Sequence, residues 1–200
     1  MTRDDVEILS KESLYEGFFR MNLYRLRHRL FAGGWSPVLD REVFERDSVA
    51  AVVLYDPARD AVVLLEQFRT GPMAAGDDNP WMIEIVAGII EGDESPEDLV
   101  RREAVEEAGC EILELQFVSS FYSTPGGGSE RCTLYCGRVD SDGVGGLHGK
   151  HDEGEDIRVF VEHADEAFRR VKDGNVASAF SVIGLQWLEL NREDLRRRWS

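Results

Sequence analysis

The stretch "GIIEGDESPEDLVRREAVEEAGC", residues 88 to 110, decides how this chain folds. From Pro96 to Ala108 it reads as helix: Ser95 is a natural N-cap, Pro96 suits the first helical position, Asp98 can close a capping box, and Gly109 suits the C-terminal stop. On a helical wheel Glu103, Glu106 and Glu107 span about 100° of arc, beside an apolar stripe of Val100, Ala104 and Ala108. Like charges three or four residues apart cost about 0.2 to 0.5 kcal/mol per pair, and more when partly desolvated. One guanidinium, Arg102, cannot neutralise three carboxylates, whereas a hard divalent cation prefers such oxygen ligands, so Mg²⁺ is the economical counter-charge. A Glu-rich helix by itself is more often a solvated face, so the residues around it carry the weight.

Outward from the helix, "WMIEIVAGII" (81 to 90) reads as one short strand ending at Gly88, after a Gly/Pro/Asp loop at 70 to 80. The β-branched runs "SVAAVVLYD" (48 to 56) and "AVVLLEQF" (61 to 68) flank an Asp-Pro turn and form a buried hairpin. Upstream, "FFRMNLYRLRHRL" (18 to 30) and "PVLDREVFE" (37 to 45) alternate in polarity around "AGGW" and read as an antiparallel pair. Downstream, "ILELQFVSSFYS" and "ERCTLYCGRV" enclose "TPGGGS", and "IRVFV" (157 to 161) follows a long loop at 140 to 156. "ADEAFRRVKDG" and "SAFSVIGLQWLELN" then read as helices, with no internal repeat and no heptads. The pattern is α+β: a mixed sheet with a few helices.

The bulk composition narrows the function. Two hundred residues with 42% hydrophobic content hold one well-buried domain and a small extension. No run approaches the eighteen or so apolar residues of a membrane helix, and "MTRDDVEILSKESLYEG" lacks a signal-peptide core, so a cytoplasmic protein is expected. A net charge of −16 would repel nucleic acid and anionic lipid over most of the surface, although local arginines or a bridging cation still admit a small anion. The three cysteines, Cys110, Cys132 and Cys136, lack zinc spacing and read as reduced structural thiols.

Gly88, Glu94, Arg102, Glu103, Glu106, Glu107 and Gly109 fit Gly-x5-Glu-x7-Arg-Glu-U-x-Glu-Glu-x-Gly-U, with Ala104 and Cys110 in the apolar U slots. Seven fixed positions would match by chance on the order of once in 10⁷ windows. The segment resembles the box of the Nudix hydrolases. The rest of the chain is similar to the bacterial ADP-ribose pyrophosphatases of that family, through "FFRMNLYRLRHRLFAGGWSPVLDREVFER", "VVLLEQFRTG", "SSFYSTPGGGSER", "GEDIRV" and "ASAFSVIGLQWLEL". The resemblance implies an α/β/α sandwich for residues 47 to 200 and an N-terminal antiparallel β extension, 1 to 46, that pairs two subunits into a homodimer whose sites borrow residues from both.

The same resemblance implies Mg²⁺, with Mn²⁺ as a substitute, held by Glu103, Glu107 and the backbone carbonyl of Ala87, with Glu106 supporting and Arg102 orienting a glutamate. The glycine-bearing loop "DSDGVGGLHGKHDEGED" would bring Glu153 as catalytic base and Glu155 as a further metal ligand; the choice between the two stays open at this point. A calcium-loop reading of that stretch fails, because counting from Asp140 puts His151 where a bidentate Glu is needed. Arg41 and Arg69 are candidates for phosphate or the adenine face, Phe18 or its neighbour Phe19 for adenine stacking, and Glu130 for ribose hydroxyls. The implied reaction is hydrolysis of ADP-ribose to AMP and ribose 5-phosphate. The alternatives are another nucleoside diphosphate sugar such as GDP-mannose, or an inactive nucleotide-binding regulator.

Overall fold

The structure is a computed structural model that describes residues 1 to 150 and 154 to 199. Two compact units compose it: Met1–Ser48 with Tyr122–Arg131, and Val49–Phe121 with Cys132–Ser200.

The first unit is a three-stranded antiparallel sheet, β1 (Val6–Glu16), β2 (Arg20–His28) and β3 (Leu39–Glu45), in the order β1-β2-β3. Sequence reading expects only a pair, β2 with β3, and passes over β1. The omitted strand is exposed along nearly its whole length and irregular between Ile8 and Ser10 and between Ser13 and Tyr15, so no one-sided apolar pattern marks it. Segment 122 to 131 joins this sheet: Phe44 donates its amide to Gly127 O at 2.8 Å, and Ser129 donates to Phe44 O at 3.1 Å.

The second unit begins with β4 (Val49–Asp56) and β5 (Ala61–Phe68). After the short helix α1 (Thr70–Ala75) come β6 (Trp81–Glu84) and β7 (Val86–Ile89), then α2 (Pro96–Ala108). It continues with β8 (Glu114–Tyr122), β9 (Arg131–Arg138), β10 (Gly146–His148), β11 (Ile157–His163), α3 (Ala164–Lys172) and α4 (Ala179–Trp199). The sheet runs β10-β11-β5-β4-β9-β8, with β6 on β5 and β7 on β4; β4 and β9 pair in parallel, while β10 with β11, β11 with β5, β4 with β5, β4 with β7 and β5 with β6 pair antiparallel.

Every residue of β4 is buried, because the strand is covered on both faces. Val49, Ala51, Val53 and Tyr55 face a core with Leu185, Leu188 and Leu195 of α4 and Phe168 of α3; Ala50, Val52 and Leu54 face Leu99, Val100, Ala104 and Ala108 of α2. The result is the expected α/β/α sandwich around a mixed sheet. The single strand expected at 81 to 88 is two, broken at Ile85, whose amide donates to the buried Ser181 hydroxyl of α4 at 3.1 Å rather than to a neighbouring strand. That break lets β6 pair with β5 and β7 with β4.

A buried carboxylate ties the hairpin of β4 and β5 to α4. Asp60, in the left-handed region at φ 53°, accepts from the Tyr55 hydroxyl at 2.7 Å and from Arg192 Nε at 2.8 Å.

The candidate metal-carboxylate site

Helix α2 spans Pro96–Ala108, with Ser95 accepting from the Asp98 amide at 3.1 Å and Gly109 closing it at φ 63°. The capping box stays half built. The Asp98 carboxylate takes the Ser95 hydroxyl at 2.6 Å instead of reaching the cap's backbone.

Strand β7 lies against this helix and brings the backbone to the carboxylates. The Ala87 amide donates to Glu107 Oε2 at 3.3 Å. A Cβ on Gly88 would stand 2.4 Å from Glu103 Oε1, so the absence of a side chain at 88 is what gives Glu103 its position. Arg102 gathers the remaining acids: it meets Glu94 twice, Nε to Oε1 at 3.0 Å and Nη2 to Oε2 at 3.1 Å. Its Nη1 also donates to Glu103 at 2.8 Å and to Glu106 at 2.9 Å. Planar guanidinium geometry permits this bridging, and the surrounding carboxylates raise its already high pKa, Glu94 most of all.

Burial differs among the three glutamates and sets their acidity. Glu107, 5% exposed, is pushed up to about 8, first by burial and then by the Glu103 charge; the Ala87 amide and Arg69 pull the other way, and Glu155 adds to the rise. Burial also raises Glu103 against the pull of Arg102. Burial pushes Glu106 up as well, but Lys150 and Arg102 outweigh it and hold this carboxyl below its ordinary value. Two carboxyls therefore resist being charged, whereas Glu106 is charged and balanced by Arg102 and Lys150.

That contrast tests whether a divalent cation fits. A carboxylate buried beside a second one, with a third, Glu155, in electrostatic range, is the donor set that a hard cation relieves. Among the described residues no three His, Cys, Asp or Glu side chains close into a cage. An ion held by Glu103, Glu107 and the Ala87 carbonyl would therefore complete its shell with water and substrate oxygens, as Mg²⁺ prefers. The donors fit the group.

The structure brings Ala87, Gly88, Glu94, Arg102, Glu103, Glu106, Glu107, Gly109 and Glu155 into one neighbourhood of the second unit. Arg69 belongs to it too, since its charge acts on Glu107, and its Nε donates to Glu84 at 2.6 Å. Glu153 lies outside the described residues. Phe18, Arg41 and Glu130 belong to the first unit, each with its own local partners. Phe18 is 84% exposed and meets Phe19 edge-on at 4.8 Å; Arg41 Nη1 donates to the Asp40 carbonyl at 2.8 Å. Glu130 is buried, taking the Ser123 hydroxyl at 2.8 Å and Arg46 at 2.8 Å.

Three charged neighbours of candidate residues escape sequence reading: Glu84, Arg46 and Lys150. Lys150 has a signal, being one of three lysines in the chain and set in an acidic loop.

Fold and site define a mixed-sheet sandwich protein that presents a carboxylate helix beside a close-approaching glycine strand. Residues 45 to 180 match the NUDIX domain model, and the chain belongs to that family. Over 200 residues it is 48% identical to the ADP-ribose pyrophosphatase of Escherichia coli (strain K12), covering 99% of this chain and 94% of that protein. It is 34% identical over 188 residues to the GDP-mannose pyrophosphatase of Cronobacter sakazakii, covering 93% and 96%. A solved structure described as an ADP compounds hydrolase superposes with a TM-score of 0.71 at 18% identity, over 97% of this chain and 96% of that one, and so shares the fold.

Proposed function

We propose that this chain is an Mg²⁺-dependent pyrophosphatase that hydrolyses ADP-ribose to AMP and ribose 5-phosphate, Mn²⁺ serving in place of Mg²⁺. The observation that supports the chemistry is the close approach of β7 to α2, Gly88 against the Glu103 carboxylate and the Ala87 amide on Glu107, which brings two carboxylates that resist being charged beside one stretch of backbone. The ADP-ribose assignment follows from the near full-length likeness to a relative of that activity.

A bound divalent ion would supply charge neutralisation at the phosphoryl oxygens and a source of hydroxide near neutral pH. Glu103 and Glu107 would hold it, with the Ala87 carbonyl and Glu155. Arg102, bridging Glu94, Glu103 and Glu106, fixes where the Glu103 carboxylate sits, and rigid carboxylates cost less to reorganise during reaction. Glu106, already paired with Arg102 and Lys150, supports the cluster. Arg69 would take a substrate phosphate, and Glu153 would remove the proton from the attacking water.

In our reading Phe18 and Arg41 receive the adenine and phosphate end, Glu130 takes ribose hydroxyls, and a homodimer assembles each site from both subunits. The first unit's exposed apolar side chains, Phe31 at 98% and Phe18 at 84%, support a covering second copy. A cytoplasmic setting agrees with three buried, unbridged cysteines. GDP-mannose is the second reading, favoured by the 34% identical relative. Product analysis of both substrates with Mg²⁺ separates them: AMP from ADP-ribose at the higher kcat/KM supports the assignment, and preferential GMP from GDP-mannose replaces it.

A further inference from the structure

Lys150 touches the carboxylate platform at two places that come from different parts of the chain. Its Nζ lies 3.1 Å from Oε2 of Glu106 on α2, the same oxygen that accepts from Arg102. Its backbone amide donates to Oε2 of Glu155 at 3.2 Å, and the Glu155 amide donates back to the Lys150 carbonyl at 3.1 Å. Gly149 makes this return tight: at φ 95°, a Cβ there would stand 2.9 Å from the Glu155 Cβ and 3.1 Å from its carbonyl oxygen. One residue thus holds Glu155 through its main chain and the metal helix through its side chain.

Electrostatics explains why that link matters. Glu155 carries a charge that acts on the buried Glu107, so bringing its segment toward α2 is opposed by like-charge repulsion. Lys150 is the cation bonded through its main chain to Glu155 and paired through its side chain with a carboxylate of α2. An exposed ion pair contributes little to global stability. A pair that sets the place of a carboxylate proposed to hold the metal can change turnover by more than it changes folding, because a misplacement of about 1 Å in such a site costs about 10²-fold in rate.

We propose that Lys150 is a positioning residue of the pyrophosphatase: by pairing with Glu106 it docks the segment that carries Glu155 onto the metal helix. The proposal rests on the function proposed above for its kinetic consequence and on the structure alone for the docking.

The test compares Lys150→Met and Lys150→Arg with the wild type, by steady-state kinetics on ADP-ribose with Mg²⁺ and by amide hydrogen exchange on the metal-free, substrate-free protein. Lys150→Met, which keeps the stem and loses the charge, should lower kcat about tenfold with KM within about twofold, and Lys150→Arg should recover most of the loss. In a Glu106→Gln background Lys150→Met should have no further effect on kcat, since the pair is already broken. Exchange at residues 154 to 156 should quicken about threefold or more in Lys150→Met and not in Lys150→Arg. Unchanged kcat in Lys150→Met, a loss confined to KM, or no recovery by arginine would overturn the positioning role. Should the wild type release no AMP from ADP-ribose, the proposed function fails. The exchange comparison still decides the docking, which unchanged protection in Lys150→Met would refute.

Discussion

Gly88 and Glu103 stand so close that any side chain at 88 would fall on the Glu103 carboxylate, its Cβ only 2.4 Å from Oε1. The clashing atom is the far end of a flexible side chain, so the fold can yield while the carboxylate loses its place. Gly88→Ala should therefore change Tm by no more than about 3 °C and lower kcat on ADP-ribose by about 10²-fold. Thermal melts and steady-state kinetics on the same preparation check this; a variant with wild-type kcat would show that Glu103 need not sit where it does.

Glu107, proposed above as a metal ligand, makes the stability of the fold depend on pH. Burial, and next the Glu103 charge, raise its carboxyl from 4.5 to about 8 in the metal-free fold. A raised carboxyl contributes stability that is full below the unfolded value and is lost as pH climbs through the folded one. Between about pH 5 and pH 9 the Tm of the metal-free wild type should fall, and Glu107→Gln should flatten this part of the profile. Added Mg²⁺ should restore the wild type at the alkaline end and leave Glu107→Gln nearly unmoved. Parallel pH profiles of the two proteins would contradict the assignment.

Asp60 is a structural anchor with no part in the proposed chemistry. Its buried carboxylate pairs with Arg192 and the Tyr55 hydroxyl, and Arg196 Nη1 lies 3.2 Å away. Asp60→Ala leaves the buried Tyr55 hydroxyl without its acceptor and takes from Arg192 one of its two carboxylates, Asp165 remaining, which costs about 2 kcal/mol and about 4 to 8 °C in Tm. At 25 °C kcat should stay within about twofold of the wild type. Calorimetry with an activity assay distinguishes this outcome from a catalytic effect.

The first unit's exposure yields an assembly prediction. Light scattering at micromolar concentration should give twice the monomer mass of 22.6 kDa, and Phe31→Asp should shift the mass toward one chain. A wild-type monomer would remove the basis for sites built from two subunits and, with it, the roles of Phe18 and Arg41 across an interface.

What the sequence makes legible follows burial. The runs of β4 and β5 are continuous and apolar because both faces are covered, and α2 announces itself through Ser95, Pro96 and Gly109. Strand β1 is hidden because it is exposed, and the break at Ile85 because its cause is a hydroxyl nearly a hundred residues away, on Ser181. The short α1 and β10 sit among glycines whose signals read as loop. Glu103, Glu106 and Glu107 are visible as a set from their spacing, but their division into two carboxyls that resist being charged and one that is ion-paired is not. That division depends on β7 and Lys150, which only the fold brings near.

The central claim is that this helix is a metal platform for cleaving ADP-ribose, and Glu103→Gln tests it most directly. The measurement is AMP formation from ADP-ribose with Mg²⁺, wild type beside variant, with circular dichroism confirming a common fold. The wild type should form AMP and ribose 5-phosphate in equal amounts, and Glu103→Gln should be slower by roughly 10³-fold or more at unchanged secondary structure. A Glu103→Gln protein that turns over ADP-ribose at near the wild-type rate would contradict the account.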